Sequence, residues 1–385
     1  MTTNRPPAPA AQRQPGKLAQ FLRKNTVFVI ALLAAVVTAF FVPPDAQYLS
    51  YFDWKTLSCL FCTLAVICAL RNIHFFTVVA HKIVGMTGNI RRAIIAIIMI
   101  TFIGSMLIAN DMALLTFLPL GYHVLASSGQ KKHMVFTFIM QNIGANLGGM
   151  LTPFGNPQNL YLYGKSGMDM GSFVLLMLPY SILSLALLAL WAVGLCRRGA
   201  KISMAHSAAA ASPNKALLSL YSILFVLCLL VVLRVLPYGI AFAAVLACVL
   251  LADRNTLCRV DYSLILTFVA LFIFIGNLGR FAAFSGWLQH ILTGHEVWVS
   301  VLASQVTSNV PAAILLSGFT ENIRSLIIGT NLGGLGTLIA SMASLISYRE
   351  IARELPLQKG RYFALFTVSN ILFVTVLMGA WALAG

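Results

Sequence analysis

The chain is dominated by long apolar runs that are separated by short polar segments. Several runs reach the roughly 17 to 25 residues that a helix needs to cross a bilayer, and no alternating barrel pattern accompanies them. Charged residues make up only 9% of the chain, against about a quarter in soluble domains. The sequence therefore predicts an all-α polytopic membrane protein embedded in the lipid bilayer. Its predicted spans are approximately 26–43, 54–71, 133–151, 172–196, 217–236, 238–252, 262–278, 321–340 and 362–384.

Two further apolar stretches, 92–126 and 296–319, are interrupted in the middle by polar residues. Each is either one span with a short stub or a re-entrant helical hairpin that enters and leaves on one side. Positive charge decides between these alternatives, because lysine and arginine accumulate on the cytoplasmic side. Two hairpins and a cytoplasmic N-terminus place most of the 26 basic residues inside and the C-terminus outside. The basic residues left outside are Lys55, Lys165, Arg234, Arg280 and Arg324.

The remaining composition excludes several function classes. The formal charge of +16 is spread between the apolar segments rather than gathered on one face, so we expect no nucleic acid partner. The cysteines fall mostly in apolar helices and the histidines in loops or near helix ends, so neither predicts a metal centre. No nucleotide-binding motif or catalytic pair is present, and we expect neither enzyme activity nor an organic cofactor. Segments 73–90 and 280–294 mix apolar and basic residues and predict interfacial helices.

An internal similarity organises the rest of the chain. The sequence Asn-Leu-Gly-Gly begins at Asn146 and again at Asn331, and a threonine follows each asparagine by six residues. An odd number of crossings separates the two halves, which predicts inverted repeats. The aligned pairs are Thr152 with Thr337, Gly155 with Ala340, Asn156 with Ser341, Ser105 with Ser304, and Asn110 with Asn309. The predicted organisation is a disordered cytoplasmic tail at 1–24, a first repeat at 25–200, a linker and connecting helix at 201–237, and a second repeat at 238–385.

The stretch 143–163 is rich in amide side chains, glycine and proline although it lies between apolar runs. A helix unwinds inside a bilayer only where protein or a water-filled cavity satisfies the freed backbone groups. Exposed carbonyls at such a break can hold a small cation, while the N-terminus of a half-helix attracts an anion. This stretch and its counterpart in the second half therefore predict an ion site in mid-membrane, where Asn110 and Asn309 at the hairpin tips should also meet.

Asp111 is the one acidic residue predicted to lie at membrane depth, at the tip of the first hairpin. An ionisable group there is costly unless it is paired, hydrated or functional, and we favour a role in cation or proton coupling. The alternative is a carboxylate that caps local amides. Ser105 and Ser304 precede the tips by about one helical turn, which would direct their hydroxyls toward the same site. Serines in membrane helices also commonly bond their own backbone.

The motifs ANDMALL and NLGGMLTPFGNPQN in the first half, with SNVPAAILL and GTNLGGLGTL in the second, resemble the ion transporter superfamily. That group includes citrate and dicarboxylate symporters, arsenite permeases and one branch of sodium/proton antiporters. In its carboxylate symporters each hairpin tip is a Ser-Asn-Thr triplet that binds substrate and sodium. This chain departs from the triplets at Ala109, Asp111 and Val310. The resemblance also implies a transport domain that moves against a dimerising scaffold, and hence a homodimer.

The predicted function is secondary active transport of a small anion, a carboxylate or an inorganic oxyanion, coupled to Na+ or H+ by alternating access in a cell membrane, with the bacterial inner membrane as the expected location. One alternative is a sodium/proton antiporter that uses Asp111. Another is an arsenite-type efflux permease working with a partner. The predicted substrate ligands are Asn110, Thr152, Asn156, Ser308, Asn309 and Thr337. The predicted cation ligands are Ser105, Asn110, Asp111, Gly155, Asn156, Ser304, Asn309 and Ala340.

Overall fold

The computed structural model describes residues 25–195 and 214–384, and within these ranges the chain is helical and contains no β-strand. The predicted tail at 1–24 and part of the predicted linker lie outside the described residues. The helices of the first range are α1 (Thr26–Phe41), α2 (Trp54–Asn72), α3 (Phe75–Gly85), α4 (Ile90–Ile108), α5 (Asn110–Ser127), α6 (Met134–Gly149), α7 (Pro157–Ser166) and α8 (Met170–Leu195).

The second range contains a similar series. Its helices are α9 (Lys215–Val232), α10 (Tyr238–Leu257), α11 (Tyr262–Gly279), α12 (Ala282–Leu292), α13 (Glu296–Thr307), α14 (Asn309–Leu316), α15 (Ile323–Leu332), α16 (Met342–Glu354) and α17 (Lys359–Ala384). Within the described ranges, 7 helices are long and apolar enough to cross a membrane. This confirms the prediction of an all-α polytopic membrane protein. The short helices α3 and α12 occupy the two segments predicted to be interfacial.

Two membrane helices begin at an aspartate that caps them. The Asp53 carboxylate accepts a hydrogen bond from the Thr56 N–H at 3.0 Å, at the start of α2. Asp261 accepts one from the Leu264 N–H at 3.3 Å, at the start of α11. Each carboxylate satisfies a backbone donor that the first turn of a helix leaves free. The membrane helix before the hairpin of each half therefore begins with the same local structure.

The first hairpin consists of α4 and α5, and the chain reverses between them. A Cβ atom on Gly104 would lie 2.5 Å from the ring of Phe117, and one on Gly121 would lie 3.6 Å from Ile97. In a continuous helix the second pair would be about 36 Å apart. The Gln141 side chain on α6 joins the two arms by donating to both Thr101 and the Phe117 carbonyl. The predicted hairpin at 92–126 is present.

The second hairpin consists of α13 and α14, which also fold back on each other. The Thr320 hydroxyl donates to Glu296 Oε1 at 3.4 Å, although these residues stand at opposite ends of the predicted stretch. Both hairpins turn at a residue with positive φ, Ala109 at 61° and Ser308 at 76°. Such backbone is strained for any residue except glycine, at about 1 to 3 kcal/mol, and it occurs mostly at functional sites.

Helices α6 and α15 each end in non-helical chain, the first break (150–156) and the second break (333–341). Helix α15 stops at Leu332, inside the apolar span predicted at 321–340, so the broken helix expected in the second half is present. Two glycines follow, and Gly336 has a φ of 113°. A Cβ there would be only 2.2 Å from Gln305 Oε1 on α13. The chain therefore leaves the helix where only glycine permits both the turn and the close approach.

The helix that follows each break packs against the hairpin and the broken helix of the opposite half. Helix α7 contacts α14 and α15, and α16 contacts α5 and α6. The Tyr161 hydroxyl lies 2.8 Å from Ser317 Oγ, and the Ser344 hydroxyl donates to Asn142 Oδ1 at 3.4 Å. This exchange interlocks the halves and places both breaks at their shared interface.

Candidate functional site

Each hairpin tip is hydrogen-bonded to the break of its own half. The Asn110 N–H donates to the Gly155 carbonyl at 3.0 Å, and the Asn309 N–H donates to the Ala340 carbonyl at 2.9 Å. These are equivalent atoms, since the sequence aligns Asn110 with Asn309 and Gly155 with Ala340. The bonds satisfy the first donor of α5 and of α14, which the hairpin turn would otherwise leave free. The same backbone arrangement therefore occurs twice in one molecule.

Amide side chains fill the space between the tips and the breaks. Asn110 Nδ2 donates to Asn146 Oδ1 at 2.9 Å and lies 3.5 Å from the Ser341 hydroxyl. Asn156 Nδ2 donates to Asn331 Oδ1 at 3.3 Å. The Asn110–Ser341 and Asn156–Asn331 contacts join one half to the other. We call these five residues the amide centre.

The second tip also reaches the amide centre. A Cβ atom on Gly334 would lie 3.0 Å from Asn309 Nδ2 and 3.7 Å from Asn146 Oδ1. Gly334 therefore touches an asparagine of each half, and its lack of a side chain lets both approach. Asn110 bonds Asn146 directly, and Asn309 lies across Gly334 from Asn146, so the structure brings the two tips to the same place.

Four helices begin around the amide centre. Helices α5 and α14 start at the two tips, and α7 and α16 start where the two breaks end. Each helix N-terminus carries roughly half a positive elementary charge. No lysine or arginine is among the buried side chains of the described ranges. The positive potential at this place comes from backbone dipoles and amide N–H groups, which suit an anion.

Several polar atoms beside the first break are buried without a hydrogen-bond partner. Among the described residues these include Asn156 Oδ1, Asn142 Nδ2 and both polar atoms of the Gln158 amide. Buried polar groups are normally paired, and an unpaired one costs about 1 to 3 kcal/mol. Of these atoms, Asn156 Oδ1 belongs to the amide centre itself and is available to accept from a polar ligand.

The Asp111 carboxylate is next to this site, in the first turn of α5. Its Oδ1 atom is buried and has no hydrogen-bond partner among the described residues. The local bond at the tip is formed by Asn110, whose Oδ1 accepts from the Asp111 N–H at 2.9 Å. A carboxylate that served only as a cap would itself accept such bonds. The geometry favours a free acid over a capping one.

The predicted serine and threonine ligands point elsewhere. Ser105 and Ser304 donate to carbonyls of their own helices at 2.8 and 2.7 Å. Their hydroxyls lie against Gly148 of α6 and Gly333 of the second break. Thr152 donates to the Met106 carbonyl. These three side chains hold each hairpin to its broken helix rather than facing the amide centre.

Two predicted ligands of the second half differ in their surroundings. Thr337 donates its hydroxyl to the Gln305 carbonyl at 3.0 Å and is exposed, whereas Gly336 beside it is buried. Ser308 is buried at the tip, and its hydroxyl lies 3.4 Å from both Asn309 Oδ1 and the Ala340 carbonyl. The structure therefore gathers Asn110, Asn156, Ser308 and Asn309 and leaves Thr337 outside the group.

Three buried residues of the site were absent from the predicted ligands. Asn146 and Asn331 lie at its centre, and Asn159 accepts from Asn331 Nδ2 at 2.6 Å. Asn159 also donates to three carbonyls of the first break region, those of Gly149, Met150 and Thr152. The sequence did offer a signal for two of them. Asn146 and Asn331 are the first residues of the two Asn-Leu-Gly-Gly repeats.

Comparisons with known proteins agree on the class of molecule. A family model described as citrate transporter matches residues 18–323. An uncharacterized transporter of Methanocaldococcus jannaschii is 32% identical over 300 residues, covering 77% of this chain and 81% of that protein. The inner membrane protein YbiR of Escherichia coli K12 is 28% identical over 335 residues, covering 85% of this chain and 88% of its own. The matched region includes both hairpin tips and the first break.

Proposed function

The chain belongs to the citrate transporter family, and on that premise we propose that it is a secondary active transporter of a small carboxylate or inorganic oxyanion, coupled to Na+ or H+. Membership of a transporter family and the apolar helices establish a membrane transporter. The substrate class, the coupling ion and alternating access are proposals. The observation that carries them is the meeting of four helix N-termini at one amide-lined place.

The anion would be held by neutral donors rather than by a basic side chain. Asn110, Asn156, Ser308 and Asn309 present amide and hydroxyl groups beside those helix starts. Neutral donors bind an anion without the strong pairing that would trap it, because the dipoles supply attraction and hydrogen bonds supply orientation. A carrier must release its cargo in every cycle, and this donor set is suited to that need.

The coupling ion would be bound beside the amide centre, at the carboxylate of Asp111. Its unpaired carboxylate oxygen can bind a proton or contribute one ligand to Na+. Binding of the cation would neutralise the one acid near the incoming anion, so each ion would favour the other. In symport the binding of the anion and the binding of the cation strengthen each other in this way.

The hairpin and the broken helix of each half would move as one body. In the first half the tip is tied by Asn110 to Gly155 and by Thr152 to Met106. In the second half Asn309 is tied to Ala340 and Thr337 to Gln305. Two equivalent ties in each half support rigid-body motion of the site-bearing elements past the remaining helices.

Anion-dependent stabilisation of the purified protein tests the proposal. Citrate, other carboxylates and inorganic oxyanions are screened by thermal unfolding in detergent, with and without NaCl and at two pH values. We expect at least one anion to raise Tm, and more so with Na+ or at low pH, because a ligand stabilises the state that binds it. Absence of any anion response across the screen would contradict transport of this class.

Asp111→Asn tests the coupling role. We expect this variant to lose the Na+ or pH dependence of anion binding, a change of about tenfold or more in affinity, since a paired charge is worth at least about 1.4 kcal/mol. Asp169→Asn is the matched control, because Asp169 is exposed and caps Ser172 at 3.0 Å, a role that asparagine also fills. If anion binding by Asp111→Asn still depended on Na+ or pH as in the parent, Asp111 would have only a structural role.

Sodium/proton antiport is the second candidate, and the same free carboxylate favours it. An antiporter would use Asp111 as the exchanging acid and would bind no anion. In that case Na+ would compete with protons for the purified protein, and no anion would alter Tm. In symport the anion and the cation would each strengthen the binding of the other.

A further inference from the structure

A polar cavity lies away from the amide centre, at the C-terminal end of α2. It encloses about 420 Å³ between α2, α3 and α5 and the chain just before α11. That volume is within the range of small-molecule sites. Its charged and titratable lining residues are Arg71, His74, His81, His123 and Arg259.

The lining combines two arginines and three histidines, and no carboxylate is among the residues that line it. Within the described ranges, neither guanidinium forms an ion pair. Arg71 Nη1 contacts the Met112 sulfur at 3.5 Å, and Arg259 Nη1 donates to Asn72 Oδ1 at 3.3 Å. Both partners are neutral, so the arginine charges are uncompensated. Guanidinium groups are the preferred protein partners of carboxylates and phosphates.

Two of the lining histidines, His81 and His123, lie close enough to interact electrostatically. Burial lowers the pKa of His81 on the interfacial helix α3, and the nearby His123 on α5 lowers it further. A nearby anion favours the charged form of an imidazole and so opposes both effects on His81. An anion in the cavity would therefore raise the pKa of His81.

The charged groups around the cavity come from several elements. Lys82 adds a cation on α3, and Arg254 adds one near the end of α10. Acidic groups lie to the sides: Asp253 accepts from Thr256 at 2.7 Å, and Glu354 on α16 interacts with His123. These carboxylates are outside the lining, so the balance inside it is positive.

The cavity also adjoins the helix that bears the proposed coupling acid. Leu115 and Pro119 of α5 line it, and Asp111 precedes Leu115 by four residues. Residues four apart share a helix face and are separated by about 6 Å along the axis. The cavity thus opens on the α5 face that leads to the first hairpin tip.

We propose that this cavity is an anion-binding site, separate from the amide centre, that captures a small oxyanion through Arg71, Arg259 and the imidazole of His81. Its ligand class is a carboxylate or phosphate, carried either by a dissolved anion or by an anionic lipid headgroup. Occupancy rises as pH falls, because protonation of His81 adds positive charge next to the ligand. The site does not depend on the amide centre being a transport site.

The test follows His81 by NMR in the full-length protein, held in nanodiscs of neutral lipid. Histidine resonances are titrated with pH in the absence and presence of inorganic phosphate and, separately, citrate. We expect either anion to raise the pKa of His81 by about half a unit or more. Nanodiscs with anionic lipid and no added anion form the second arm, and an equal rise there would identify the headgroup as the source.

Two variants test whether the anion binds through the residues that line the cavity. Arg71→Gln is expected to weaken phosphate binding measured at His81 by about tenfold, as loss of one charge-assisted bond does. Lys82→Gln removes a neighbouring cation that does not line the cavity and is expected to leave binding within about twofold. An unchanged His81 titration with both anions and anionic lipid would overturn the proposal, as would equal effects of the two variants.

A third variant separates this site from the proposed transport site. Asn156→Ala removes an amide of the centre and lies far along the chain from the cavity lining. We expect it to abolish the anion-dependent rise in Tm while the His81 response to phosphate persists. Loss of both responses together would show that one anion site accounts for them and would overturn the separate cavity site. Failure of the transport proposal alone would leave the His81 response intact.

Discussion

The two breaks have the same backbone plan but different side chains satisfy their exposed carbonyls. In the first break the amide comes from the following helix, where Asn159 donates to Gly149, Met150 and Thr152. In the second it comes from the hairpin, where Gln305 donates to the carbonyls of Gly333 and Leu335. Backbone hydrogen bonding is obligatory, whereas the residue that provides it is not.

The tips differ in a more consequential way. The residue after the tip asparagine is Asp111 in the first half and Val310 in the second. Both occupy the second position of a helix, yet only one carries a titratable group. On the proposed function, the matching backbone would form an anion site shared by both halves, and the single carboxylate would place the coupling cation in the first half. The following predictions probe this combination of shared geometry and unequal chemistry.

The largest expected effect comes from adding a methyl group where a broken helix meets its hairpin. A Cβ on Gly148 would lie 2.0 Å from the Phe102 carbonyl oxygen, whereas one on Gly333 would lie 2.8 Å from its nearest neighbours. Gly148→Ala should cost about 3 kcal/mol or more and Gly333→Ala about 1 to 2, because the overlap at Gly148 is much deeper and is with backbone that cannot move aside. Thermal unfolding in detergent measures both.

Gly85→Ala in α3 is the control for these glycine variants, since no atom lies within 4 Å of the added Cβ. It should be neutral or slightly stabilising, because alanine is the better helix former. Equal losses at Gly148 and Gly333 would mean that the two hairpins are packed alike on their broken helices, contrary to the distances.

The next effect comes from removing the amides that satisfy the breaks. Asn159→Ala should cost about 2 to 3 kcal/mol, because its buried side chain bonds both the first break and Asn331. Gln305→Met, which copies Met106 of the first hairpin, should cost about 1 to 2, because water can reach this partly exposed site. Denaturant or thermal unfolding compares the stability of the two variants. Asn255→Ala, at an exposed asparagine, is the control, and its free energy of unfolding should lie within about 0.5 kcal/mol of the parent.

The smallest expected effect concerns the caps at the start of α2 and α11. Asp53 accepts from both the N–H and the hydroxyl of Thr56, whereas Asp261 accepts one longer bond from Leu264. Asp53→Ala should lower the free energy of unfolding by about 1 kcal/mol and Asp261→Ala by about half of that. Asparagine at either position keeps the cap, so Asp53→Asn and Asp261→Asn should lose much less stability than the alanine variants. A larger loss for Asp261→Ala than for Asp53→Ala would contradict the hydrogen bonds seen at the two caps.

Much of this arrangement was predictable because it depends on local sequence. Interrupted apolar runs and the charge partition predicted the two chain reversals, and the Asn-Leu-Gly-Gly repeats aligned the atoms that bond at the tips. The extent of α15 was not predictable from hydropathy, since the residues after Leu332 are apolar yet lie in a break. Glycine pairs signal that a helix is weak there, but the approach of Gln305 is what fixes its end.

The sequence by itself determined that this chain is a bundle of membrane helices with two hairpins, because apolar length, charge and helix-breaking residues act over short distances. Only the tertiary structure decided which side chains meet. Asn146 and Asn331 became central, Ser105 and Ser304 turned to their own backbone, and scattered histidines and arginines came to line one cavity. Such contacts join residues far apart in the chain, and the packing of two interlocked halves selects them.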